Sequence, residues 1–159
     1  MSGDAANGKS EFTSINSKIT TNNGDTIYVT NTKATINLTN NIIINNDLNG
    51  NFLRIQSDSW GISGSNGGDV DLTLNNQSVV GNIVVDNISS LNMNMITSNY
   101  EGSINNENSG AEITLTIDKN STLKLTKDSY ITNLVNEDIT NNNIEFNGYK
   151  LYVDGKEIN

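Results

Sequence analysis

A short pattern recurs along this chain: apolar, polar, apolar, then a polar turn. It appears as Ile36-Asn37-Leu38 before Thr39-Asn40-Asn41, and as Val70-Asp71-Leu72-Thr73-Leu74 before Asn75-Asn76. It returns as Leu91-Asn92-Met93-Asn94-Met95 and as Ile113-Thr114-Leu115-Thr116-Ile117 before Asp118-Lys119-Asn120. A weaker first copy is Phe12-Thr13-Ser14-Ile15 before Asn16-Ser17. Strict alternation of this kind belongs to β-strands, whose successive side chains point to opposite faces. The last apolar residues of the runs are Ile15, Leu38, Leu74, Met95 and Ile117, in steps of 23, 36, 21 and 22 residues. A period near 22 with one insertion predicts a solenoid.

Each repeat carries further apolar clusters, such as Phe52-Leu53-Arg54-Ile55, Ile83-Val84-Val85 and Leu123-Lys124-Leu125. Three short strands per repeat make one turn of a three-sided coil. The predicted fold is therefore an all-β, right-handed parallel β-helix, a single-stranded solenoid. Ile36, Leu38, Val70, Leu72, Leu74, Leu91, Met93, Met95, Ile113, Leu115 and Ile117 should point inward. Asn37, Asp71, Thr73, Asn92, Asn94, Thr114 and Thr116 should form an outward polar ladder. A β-sandwich also uses short alternating strands, but it does not require equal spacing of like runs. Asn, about a fifth of the chain, suits tight corners because it tolerates left-handed backbone angles.

The expected organisation has three parts. Residues 1–10 read as a flexible, trimmed or engineered start, and residues 11–139 as coils with an insertion at 56–69. Residues 140–159, with Asn147-Gly148 and Asp154-Gly155, read as a C-terminal β-hairpin cap. The start suggests a fragment of a longer exported protein.

Composition narrows the chemistry. The chain has no Pro, Cys or His. That removes disulfides, thiol nucleophiles, His-based relays and His- or Cys-ligated metals. The formal net charge is −9, with no basic stripe to displace phosphate counterions, so nucleic acid is not expected as a partner. No apolar run approaches membrane-spanning length. Cations such as calcium suit this field.

The insertion Gln56 to Asp69 holds four glycines and the only Trp, Trp60. A solvent-facing indole would offer a platform for sugar rings; a folded-back one would be a packing lid. Asp58, Asp69 and Asp71 flank it and form a candidate calcium set, with a solvated acidic loop as the plainer reading. Asp86 and Glu101 are a weaker second pair. Arg54, the only arginine, could serve a uronate lyase as base, although one Arg near three Asp is a common accident. Asn76-Gln77-Ser78 and Asn120-Ser121-Thr122 match glycosylation acceptors by chance in so Asn-rich a chain.

Ala34 to Asn41, Asn51-Phe52-Leu53-Arg54, Ser59-Trp60-Gly61, Gly67-Gly68-Asp69-Val70 and Phe146 to Leu151 resemble the C-terminal coils of clostridial exported proteins. Those proteins have a carbohydrate-binding-type parallel β-helix and are similar to polysaccharide lyases in architecture. The resemblance implies binding of plant-type or acidic polysaccharide, with calcium on the helix wall. It supplies no catalytic motif. The expectation is a secreted or cell-surface, non-catalytic carbohydrate-binding module contacting its ligand through Trp60, Arg54, Asn92 and Asn94. The alternatives are a purely structural adhesin stalk and a uronate lyase. Ice binding, which wants regular Thr columns, fits the mixed ladder poorly.

Overall fold

The computed structural model describes residues 9–158. Among these the chain makes eighteen β-strands and no helix. The first coil holds β1 (Lys9–Ile15), β2 (Lys18–Thr21) and β3 (Ile27–Val29). The second holds β4 (Thr32–Thr39), β5 (Ile42–Asn45) and β6 (Leu53–Ile55), and the third β7 (Gly68–Asn75), β8 (Ser78–Val80) and β9 (Ile83–Val85). The fourth has β10 (Ser90–Ile96) and β11 (Asn99–Gly102), then a single bridge from Ile104 to Ile83. The fifth has β12 (Glu112–Ile117), β13 (Thr122–Leu125) and β14 (Ser129–Ile131). The sixth has β15 (Asn133–Asn136), β16 (Ile144–Glu145) and β17 (Leu151–Val153), and β18 (Lys156–Ile158) then turns back.

Stacking these coils makes three walls. The first is one parallel sheet in the order β1-β4-β7-β10-β12-β15. The second contains β2-β5 and β8-β11-β13-β16; the third contains β3-β6-β9 and β14-β17-β18. The chain is thus a parallel β-solenoid of six turns. Ile36, Leu72, Met93, Leu115 and Leu134 form one inward column, spaced 36, 21, 22 and 19 residues apart. All eleven residues expected inside are buried, none more than 2% exposed. Each such Leu or Ile contributes roughly 1.5–3 kcal/mol by leaving water.

The first coil departs from the expected register. Ser14, not Ile15, stacks on Leu38; Ile15 pairs with Thr39 and is 55% exposed. A hydroxyl is tolerated at this inward place because Ser14 Oγ donates to Asn41 Oδ1 at 2.8 Å.

The boundaries shift as well. Lys9 and Ser10 belong to β1, while residues 1–8 lie outside the described region. Gly68 and Asp69 open β7, so the inserted loop is 56–67. Only Asp154-Gly155 reverses the chain: β17 and β18 pair antiparallel, with positive φ at both turn residues. Asn147-Gly148 also has positive φ, but it rounds a corner between the second and third walls. The cap is therefore the β17–β18 hairpin, residues 151–158, whose first strand also closes the sixth coil that begins at residue 133.

The corner between the first and second walls carries two repeated devices. Asn16, Asn40, Asn76 and Thr97 all adopt left-handed φ of 46–52° there. After the last three of these comes a buried, inward polar residue, Asn41, Gln77 and Ser98, and Ser121 fills the same place in the fifth coil. Each accepts the backbone N–H one coil earlier. Ser17 N donates to Asn41 Oδ1 (3.0 Å), Asn41 N to Gln77 Oε1 (2.8 Å), Gln77 N to Ser98 Oγ (3.1 Å) and Ser98 N to Ser121 Oγ (2.9 Å). The relay satisfies amides that the corner withdraws from the sheet ladder, where an orphaned N–H would be costly.

Two outcomes follow. Gln77→Leu leaves the Asn41 N–H and C=O without their side-chain partner; urea unfolding should show a loss of about 3 kcal/mol. Thr97 is a β-branched residue where its equivalents are Asn, so Thr97→Asn should raise stability by about 1 kcal/mol in the same assay.

Candidate functional site

The outward face of the first wall is mostly polar, with Ile15, Ile96 and Val135 as exposed apolar exceptions. One column runs Glu11, Thr35, Asp71, Asn92, Thr114, Asn133; the next runs Thr13, Asn37, Thr73, Asn94, Thr116, Val135. A third runs Lys9, Lys33, Asp69, Ser90, Glu112. Period-2 alternation puts these residues outside because their neighbours fill the core. Neighbouring strands lie about 4.8 Å apart, so the columns form a regular lattice of donors and acceptors.

The lattice is partly cross-linked. Asn92 Nδ2 donates to Asp71 Oδ1 at 3.0 Å, Ser90 Oγ donates to Asp69 Oδ1 at 2.6 Å, and Lys33 Nζ lies 3.0 Å from Asp69 Oδ2. The Ser90 hydroxyl, with Lys33 behind it, holds the Asp69 carboxyl below its ordinary range. Two shallow hollows open along the face. One, of about 350 Å³, is lined by Asp69, Ser90, Asn92, Glu112 and Thr114; the other, of about 260 Å³, by Lys9, Lys33, Thr35, Asp69 and Asp71.

The predicted residues do not share one surface. Asn92 and Asn94 lie on this wall with Asp69 and Asp71. Arg54 points outward from the third wall, in register with Tyr28 and Val84. Its guanidinium stacks 5.5 Å from the Tyr28 ring centre, and Nε lies 2.6 Å from Asp25 Oδ2. The contact is an ion pair. Asp25 is locked in turn by Asn51, which donates its N–H and its amide, both at 2.8 Å. Arg54 is thus committed to Asp25 and Tyr28.

Trp60 is half-buried. Its loop folds toward the first coil, where the Asn31 and Thr30 corner donates to Asn66 O. Asn66 Nδ2 in turn donates to Asp58 O and Trp60 O at 2.7 and 2.9 Å. Trp60 thereby lines a hollow of about 260 Å³ at the N-terminal end, with Phe12, Tyr28, Val29, Ala34 and Ile36.

Asp58 sits apart from the other two proposed metal ligands. It accepts from Tyr28 Oη at 3.2 Å on the third-wall side, whereas Asp69 and Asp71 face out from the first wall. Among the described residues no three acidic side chains gather into a cage. Lys33 also pairs with Asp69. Asp86 and Glu101 are separated too: Asp86 Oδ2 accepts from Ser57 N and Oγ at 2.7 and 2.8 Å, while Glu101 pairs with Lys124 at 3.0 Å on the second wall.

Sequence reasoning missed Tyr28, Asp25, Lys33 and Glu112. Register is the signal that finds them, since Tyr28 falls opposite Arg54 and Lys33 opposite Asp69 once the coils are aligned. Comparison with protein-family models, with curated proteins and with solved structures finds no match for the chain.

The aspartates make stability acid-sensitive. At Asp86 burial acts to raise the carboxyl pKa, but donors from Ser89, Ser57 and Ile88 outweigh it and the result is below normal. Asp118 shows the same balance, with Ser121, Thr97 and Asn120 as donors. A carboxyl depressed in the folded state contributes stability that is complete above its unfolded value, about 3.9, and is lost as pH falls below it. With no His in the chain, urea midpoints should be level from about pH 5 to 8 and drop steeply below about pH 4. Asp86→Asn should blunt that drop.

Proposed function

We propose that the chain is a non-catalytic carbohydrate-binding module that works outside the cell or on its surface, and that the first wall is its contact face. The supporting observation is the in-register outward lattice of Asn, Thr, Asp and Ser over six parallel strands. Amides, hydroxyls and carboxylates supply the alternating donors and acceptors that sugar hydroxyls match. An extended polysaccharide repeats along its axis as the wall does, so many weak contacts add up. A flat open face suits a chain lying across it better than a small molecule, which would want a deep pocket.

Carboxylates at Glu11, Asp69, Asp71 and Glu112 on this face, with a net charge of −9, favour neutral over acidic polysaccharide. The reading requires no metal. Nor does it use Arg54, which is held on another wall, or Trp60, which lies at the end of the coil stack.

Affinity electrophoresis against soluble xyloglucan, galactomannan, mixed-linkage glucan and pectate tests it. Retardation by at least one neutral glycan is expected. Asn92→Ala with Asn94→Ala should weaken that binding at least tenfold, about 1.4 kcal/mol. Lys124→Ala on the second wall should leave it unchanged. No retardation by any of the four, or equal binding by the double variant, removes the proposal.

A further inference from the structure

Four Asn-Gly pairs lie among the described residues: Asn23-Gly24, Asn49-Gly50, Asn66-Gly67 and Asn147-Gly148. Such a pair is chemically labile, because glycine has no Cβ to keep its nitrogen from the neighbouring side-chain amide. The fold holds three of the four still. Gly24 N donates to Asp47 Oδ2 at 2.6 Å. Gly50 N donates to Asp47 O at 3.0 Å, and Asn49 N to Asp47 Oδ1 at 2.9 Å. Asn66 is buried, and its amide donates to Asp58 O and Trp60 O. A Cβ at Gly67 would collide with Ile88 O, so the backbone there is hemmed in. The fourth pair is different. Asn147 and Gly148 are both exposed, with φ of 54° and 85°. Tyr149 N closes their turn on Phe146 O at 2.9 Å, and Gly148 N has no hydrogen-bond partner among the described residues. Nothing lies within 4 Å of the place a Gly148 Cβ would take. The Asn147 amide makes one long bond, to Leu125 O at 3.4 Å.

We propose that Asn147 is a site of spontaneous covalent modification, where the chain loses a side-chain amide through attack by its own Gly148 nitrogen. That nitrogen bonds to Asn147 Cγ and gives up its proton. The bond from Cγ to Nδ2 breaks, and Nδ2 leaves with the proton as ammonia. The five-membered imide left behind takes up water. Opening at one carbonyl gives aspartate; opening at the other gives isoaspartate, whose main chain runs through Cβ. Either product lacks the donor to Leu125 O and adds a negative charge. Isoaspartate also lengthens the main chain by one atom shortly before β17, the strand that closes the last coil. The same geometry gives Asp47 a protective part. Its carboxylate and its carbonyl occupy the two glycine nitrogens that would otherwise attack at Asn23 and Asn49. None of this depends on the binding of a sugar.

The folded chain, incubated at mildly alkaline pH in heavy-oxygen water and then mapped by peptide mass spectrometry, provides the test. Each opened imide carries the isotope, and fragment-ion sequencing places it. Asn147 should be labelled at least about fivefold faster than Asn23, Asn49 or Asn66, the factor that one ordinary hydrogen bond supplies. In concentrated urea, which removes the fold, the four rates should converge. Asn147→Gln should take no label at that position, because the larger ring closes far more slowly. Asp47→Ala should speed labelling at Asn23 and leave Asn147 unchanged, with far-UV circular dichroism as the check on its fold. An unlabelled Asn147 in the folded chain overturns the proposal. So does labelling as fast at Asn49 or Asn66, or a ranking that persists in urea. Slow labelling at Asn23 in the Asp47→Ala chain overturns the protective part.

Discussion

Withdrawing the backbone from the sheet ladder at each corner is the constraint around which this molecule is built. A three-sided coil must turn about every seven residues, and at each turn amides leave the ladder while staying inside. Asn41, Gln77, Ser98 and Ser121 answer this by reaching one coil back. The third-wall corners do likewise, with Ser89 Oγ accepting from Gly68 N and Ser129 Oγ from Ile104 N. Because each acceptor belongs to the following coil, these bonds form only when the coils are in register. Polar interior groups therefore act with the apolar columns in specifying one stacking, since a slip of one residue would expose the columns and orphan the amides together.

The apolar part of that specification is legible in the sequence. Period-2 alternation has one inward solution, and the eleven marked residues of the first wall between Ile36 and Ile117 follow it. The failure at Ile15 is instructive. Apolarity marked the wrong residue because Ser14 is polar and inward, and its reason for being there, Asn41, is twenty-seven residues away. The relay was invisible for a related cause. Asn, Gln and Ser perform one role at one place, so no single residue type repeats. The Asn-Gly at 147–148 misled because a solenoid corner and a hairpin both ask for left-handed φ.

Site residues were less legible than core residues. An outward position on a coil is restrained by its neighbours in the column, which sequence spacing reveals only after register is known. Arg54 drew attention as the lone arginine, yet its neighbours are Tyr28 and Asp25 of the preceding coil, not Asp69. Asp58, Asp69 and Asp71 are close in sequence, but the loop holding Asp58 rounds a corner, so Asp58 meets Tyr28 of the third wall while Asp69 and Asp71 face out from the first. Asn92 and Asn94 face outward on the first wall, as alternation alone requires.

A solenoid separates what its residues can do by direction. Inward residues are tied to two coils at once, by packing and by the relay, and have little freedom. Outward residues touch only their column neighbours, through single bonds such as Asn92 to Asp71 or Lys124 to Glu101, and exposed pairs of that kind hold little energy. The composition of the first wall's outward face is therefore little constrained by stability. The ends obey neither rule: their inward residues lack a coil on one side, and an edge of backbone is left over. At one end this chain resolves the conflict internally, by reversing β18 onto β17. At the other, Phe12 stands over Ile36 in the inward column and stays partly exposed.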